Sequence, residues 1–190
     1  MDETLRAFLD ASVLYPVSLR QLLMRLALEN LYQPKWSAAV HDEWIRSVLR
    51  DNPHIPAARL HALRDAMDDR IDDAVVAGYE AMIETLALPD PNDRHVLAAA
   101  ITGEANVIVT RNLRDFPDEA LAPHGIQAMH PDRFFRHLLE VEPLAFVTVV
   151  LDQQASLTKP PIPMAELLNL FERLDLSETV TELRRWVGIK

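Results

Sequence analysis

The chain has 190 residues, 49% of them hydrophobic and 25% charged, the balance of an ordinary globular protein; its longest apolar runs are too short to span a bilayer. A net charge of −10 argues against a general, charge-driven nucleic-acid binder, yet leaves room for an enzyme that meets nucleic acid through a metal ion. Cysteine is absent, which excludes disulfides, zinc-thiolate sites and thiol catalysis, and with no leader pattern at the start a cytoplasmic protein is expected, one domain plus an appendage.

Residues 7–9 are a brief apolar run ending at Asp10, the pattern of a buried parallel strand closed by a polar loop. From Ser18, a helix ending near Asn30 carries Leu19, Leu22, Leu23 and Leu26 on one stripe. Residues 32–36 read as a linker or short strand. Ser37 then caps a helix over 38–50 whose core face is Val40, Trp44, Ile45 and Val48, with Glu43 at the edge of that face. Asp51-Asn52-Pro53 breaks this helix, and Pro56 opens another over 57–74. The acids Asp65, Asp68, Asp69, Asp72 and Asp73 on it read as a solvated face. A strand is expected over 80–87. Asp93 is the expected cap of a helix over 94–102 ended by Gly103, and Val107, Ile108 and Val109 make the clearest buried strand. A loop over 116–125, an edge strand over 126–129 and a helix over 133–140 opened by Asp132 complete the alternation. Such a succession predicts the α/β class, a central parallel sheet between helical layers in an α/β/α arrangement.

Pro143 begins a different texture, with helical stretches over 144–157, 164–174 and 178–187. Leu167, Leu170, Phe171 and Leu174 form one apolar stripe, and Val180, Leu183 and Val187 another. The expected organisation is a domain over residues 1–142 and a helical extension over 143–190, packed on that domain or on a partner.

Four acids occupy comparable places: Asp10 after the first strand, Glu43 within a helix, Asp93 at a helix start, and Asp115 after the strongest strand. In an open parallel sheet the carboxyl ends of the strands meet a ligand crevice, so these positions can converge on one pocket. Two like charges about 5 Å apart repel by roughly 3 kcal/mol at an effective dielectric of about 20, so such a cluster calls for a cation or for protonation. An all-oxygen donor set favours magnesium or manganese over zinc, and ions of that kind serve hydrolysis of phosphate esters. Ser12, Thr110 and Asn112 are polar groups able to position an acid or a water. Acids at loop starts are also ordinary caps and turn residues, so spacing alone leaves both readings open.

Four motifs together resemble the PIN-domain ribonucleases, and within them the VapC-like toxins of type II VapBC toxin-antitoxin modules. They are Phe8-Leu-Asp-Ala-Ser-Val-Leu-Tyr-Pro16, Glu43 in its helix, Asp90-Pro-Asn-Asp-Arg-His-Val-Leu-Ala-Ala-Ala100, and Val107-Ile-Val-Thr-Arg-Asn-Leu-Arg-Asp-Phe-Pro117. The resemblance covers residues 5–137. It implies a PIN-like fold and a Mg2+- or Mn2+-dependent endoribonuclease that leaves a 5′-phosphate and a 3′-hydroxyl and inhibits translation by cutting RNA. It further implies Asp10, Glu43, Asp93 and Asp115 as catalytic, metal-binding acids, with Ser12, Thr110 and Asn112 in support. A cognate VapB-like antitoxin and a toxin homodimer are the partners it implies, with no membrane. Relatives often carry an acid where this chain has Asn92, which leaves Asp90 as an auxiliary ligand or a turn residue.

Arg94, Arg111 and Arg114 flank the acids and are candidates for holding substrate phosphates, against the plainer role of pairing with nearby acids. His95 reads as a packed or hydrogen-bonded histidine, and Trp36 and Trp44 as core. A haloacid-dehalogenase-like phosphatase needs a second acid where Ser12 stands, and a receiver domain needs a lysine after a late strand, where none occurs. The remaining alternative is a PIN-like scaffold that binds RNA or protein without cutting.

Overall fold

The structure is a computed structural model that describes residues 5–189. Its elements run β1 (Arg6–Leu9), α1 (Ala11–Leu14), α2 (Val17–Leu28), β2 (Gln33–Ser37), α3 (Ala38–Asp51), α4 (Ala57–Asp68), β3 (Val75–Val76) and α5 (Glu80–Ile83). They continue with α6 (Arg94–Thr102), β4 (Val107–Val109), α7 (Asp118–Leu121), β5 (Gln127–Met129), α8 (Pro131–Val141), α9 (Pro143–Ser156), α10 (Met164–Glu172) and α11 (Ser177–Val187). Single 3-10 turns sit at Pro91–Asp93, Leu113–Asp115 and Ala122–His124. The chain forms two compact units: one takes it as far as Tyr15 and again over Tyr32–His130, the other takes Pro16–Leu31 and everything from Pro131 on.

The first unit is built on a five-stranded, wholly parallel sheet in the order β3-β2-β1-β4-β5. Ala7, Phe8, Leu9 and Val107 to Val109 are fully buried, as a parallel sheet covered on both faces requires. β1 pairs with β2 on one side and with β4 on the other, so strand order reverses at β1. The carboxyl ends of β1 and β4 therefore flank a topological switch point, where open α/β sheets bind ligands. α6 packs on β1, β2 and β4 through Val96, Leu97 and three buried alanines, whose short side chains let helix and sheet approach. Gly103 ends it where a Cβ would lie 2.6 Å from Val76 Cγ2, so this glycine serves closeness to β3.

The second unit is all helical. α2 packs against α9 and α10, and α8 against α9 and α11. Leu19, Leu22, Leu23 and Leu26 are fully buried, as the stripe predicts, together with Leu167, Phe171 and Leu183. Phe135 of α8 meets Phe134 at 5.8 Å and Phe146 of α9 at 6.0 Å between ring centres. That aromatic contact places α8 in the helical unit, so the units part at His130 and Pro131, one helix before the expected division at residues 142 and 143.

Several local expectations change. Residues 80–87 are not a strand: Glu80–Ile83 form α5, and the edge strand is Val75–Val76, paired Trp36 to Val75 and Ser37 to Val76. Glu, Ala and Met are good helix formers, whereas the β-branched pair Val75-Val76 suits a ladder too short for alternation to reveal. The helix from Ala57 stops at Asp68, and the stretch read as a loop over 116–125 contains α7. Asp132 lies inside the first turn of α8, and its carboxylate serves another helix, accepting from the Glu178 and Thr179 amides of α11 at 2.9 and 2.8 Å. The supposed solvated face also has partners, since Asp68 and Asp73 receive hydrogen bonds from Trp36 and Lys35. Among the described residues, no helix is long and apolar enough to cross a membrane.

Candidate active site

The register Leu9 to Val109 makes Asp10 and Thr110 leave the sheet side by side, and the Asp10 amide donates to Val109 O at 3.1 Å. Asp10 is extended (φ −73°, ψ 156°) and caps α1, its Oδ1 accepting from the Ala11 amide at 2.7 Å. Oδ2 accepts from Ser12 Oγ at 2.6 Å and Thr110 Oγ1 at 2.8 Å. Two hydroxyls thus fix a nearly buried carboxylate. Each hydroxyl also takes a backbone amide of the loop after β4, Arg111 N to Ser12 Oγ at 3.1 Å and Asn112 N to Thr110 Oγ1 at 3.0 Å.

Asp93 stands at the N-terminus of α6 but makes no capping bond with its side chain, contrary to expectation; Asp90 does the local capping, accepting from the Asn92 amide at 2.9 Å. Burial pushes the Asp93 carboxyl up to about 7, and the charges of Asp10, Asp115, Asp90 and Glu43 add to that rise. Four acids therefore bear on this one half-buried carboxyl. Asp115 accepts a short hydrogen bond from Asn112 Nδ2. Glu43 Oε1 lies 2.8 Å from His95 Nε2, within reach of a ring N–H and an ion pair when the imidazole is protonated. Arg111 and Arg114 are exposed on the turn beside Asp115, and Arg94 is half-buried with an Nε that has no hydrogen-bond partner.

Among the described residues, no three His, Asp or Glu side chains stand, as oriented, in a ready coordination group. Asp10, Glu43 and Asp115 each direct oxygens to a neighbour instead. The donor chemistry nonetheless fits a hard divalent cation, being all oxygen and built around a carboxyl whose ionisation is opposed first by burial and then by neighbouring negative charges.

Sequence reasoning missed a buried polar network behind α3. Trp44 Nε1 donates to His41 Nδ1 at 2.9 Å, which makes Nε2 the ring's donor, and His41 Nε2 and Trp36 Nε1 reach the same Asp68 oxygen at 3.0 and 2.7 Å. Burial lowers the pKa of His41, so the neutral ring is the resident form. Two buried indoles need acceptors, and that demand was the available signal. Lys35 was missed too: nearly buried on β2, it donates to Asp73 Oδ2 at 2.7 Å.

A five-stranded parallel sheet with acids beyond the carboxyl ends of β1 and β4 is the frame of this site, and the chain is a member of the PIN domain family, whose family model matches residues 6–114. A second family model, the VapC50 C-terminal domain, matches residues 131–185 of the helical unit. The chain is 46% identical over 77 residues to the putative ribonuclease VapC50 of Mycobacterium tuberculosis, a match taking in 40% of this chain and 46% of that protein. The match thus spans less than half of that relative's length. No solved structure matches.

Proposed function

We propose that the chain is a Mg2+- or Mn2+-dependent endoribonuclease acting as the toxin of a toxin-antitoxin module. It hydrolyses RNA phosphodiester bonds in the cytoplasm, inhibits translation by doing so, and works as a homodimer restrained by a VapB-like antitoxin. The observation that carries the reading is Asp93, a half-buried carboxyl pressed by the charges of Asp10, Asp115, Asp90 and Glu43 beside the switch point of the sheet. The relative named as a putative ribonuclease supports the same reading.

Asp10, Glu43, Asp93 and Asp115 would hold the ion, with Asp90 as a neighbouring acid. When bound, such an ion activates water and neutralises charge developing on the phosphate. Ser12 and Thr110 hold Asp10 in its orientation, and Asn112 holds Asp115. Arg94, Arg111 and Arg114 supply guanidinium groups for the phosphates flanking the scissile bond.

The test is cleavage of RNA by the purified protein with Mg2+ or Mn2+, followed by mapping of the fragment ends. We expect 5′-phosphate and 3′-hydroxyl ends, no cleavage in excess EDTA, and no cleavage by Asp10→Asn or Asp93→Asn proteins that remain folded. Full activity in both variants, or cleavage undiminished by EDTA, would refute the mechanism. Metal binding without cleavage would point to the scaffold.

A further inference from the structure

We propose that His95 is a positioning residue that holds the Glu43 carboxylate in the acid cluster. The inference rests on the nuclease reading above. Glu43 differs from the other acids in how it is supplied: Asp10, Asp93 and Asp115 stand at element ends or turns, whereas Glu43 projects from the middle of α3. Its side chain has three rotatable bonds and is 38% exposed, so the charges of the neighbouring acids favour swinging it out to solvent.

His95 stands against that displacement. It lies on the first turn of α6, two residues beyond Asp93, and its ring is 13% exposed with Nε2 2.8 Å from Glu43 Oε1. Neither ring nitrogen has an aligned hydrogen bond elsewhere, so no other group competes for the imidazole. Among the described residues, His95 is the one cationic or potentially cationic side chain in ion-pair contact with Glu43. α6 thereby supplies both the acid at the middle of the cluster and the group that steadies the acid arriving from α3. Carboxylates that bind metal depend on such outer partners for their orientation.

Two substitutions of similar bulk separate positioning from packing: His95→Leu keeps the buried volume without a donor, and His95→Gln restores a donor. Each is made alone and with Glu43→Gln, then measured by Mn2+ titration calorimetry, RNA cleavage rates and urea unfolding in EDTA. We expect His95→Leu to weaken Mn2+ binding and lower kcat by roughly 10- to 100-fold, with KM for RNA unchanged. In the Glu43→Gln protein it should have no further effect on Mn2+ binding, and His95→Gln should recover most of the loss. The proposal is overturned if His95→Leu changes only unfolding while Mn2+ affinity and kcat stay within about twofold, or if its effect on Mn2+ affinity is the same in both backgrounds. A wild-type protein that neither binds Mn2+ nor cuts RNA refutes the nuclease reading and this role with it, whereas an active wild type with no coupling refutes the role of His95 alone.

Discussion

Replacing Asp93 with asparagine should stabilise the metal-free protein at neutral and alkaline pH while abolishing its activity. The Asp93 carboxyl titrates at about 7 in the folded chain against 3.8 for an ordinary aspartate, first because of burial and then because of Asp10, Asp115, Asp90 and Glu43. Between those values the folded state holds a proton that the unfolded chain has released. Stability is therefore highest at low pH for this group and is lost as pH rises. A difference of roughly three pH units corresponds to about 4 kcal/mol without screening; for a half-buried group, solvent reduces the expectation to about 1–2 kcal/mol. Asparagine cannot ionise, and Asp93 makes no capping bond whose loss would offset the gain. Urea unfolding in EDTA, wild type against Asp93→Asn, should show a gain of about 1–2 kcal/mol at pH 8 that fades towards pH 4. An equal gain at both pH values, or a loss at pH 8, would show that burial and the surrounding acids do not raise the Asp93 carboxyl.

Two further substitutions probe the scaffold. Asp132→Ala removes the carboxylate that accepts from the Glu178 and Thr179 amides, and should destabilise the protein by about 1–2 kcal/mol, with hydrogen exchange accelerated first at those amides; unchanged exchange would remove the capping role. Gly103→Ala places a methyl group 2.6 Å from Val76 Cγ2, and should lower unfolding stability by about 1–3 kcal/mol while shifting the Val76 methyl resonances; a neutral substitution would mean that β3 yields freely.

Much of the scaffold was legible in the chain. Asp10, Thr110 and Asp115 were placed by short apolar runs that end in polar residues, because a parallel strand buried on both faces needs continuous hydrophobes and must stop where its chain meets solvent. Ser37 was readable as a cap, and its Oγ does accept from the Val40 amide at 3.3 Å. β3 was not readable: a two-residue strand has no period and exists because β2 offers it a ladder. Nor was the division of the chain, because the face of α8 that carries Phe134 and Phe135 is apolar whichever neighbour covers it.

The sequence by itself determined which residues are acids, which helices are amphipathic and where the strongest strands lie, since these follow from side-chain chemistry and local periodicity. Only the tertiary structure decided which carboxylates act on one another. In one dimension Asp93 and Asp132 read as helix openers, and Asp90 as an auxiliary ligand or a turn residue. In three dimensions Asp90 caps locally, Asp132 caps a helix 46 residues further on, and Asp93 is left uncapped among the other acids. Charge repulsion and burial act through space, and the packing of α6 on the sheet, together with the register of β1 on β4, brings these acids within reach of one another.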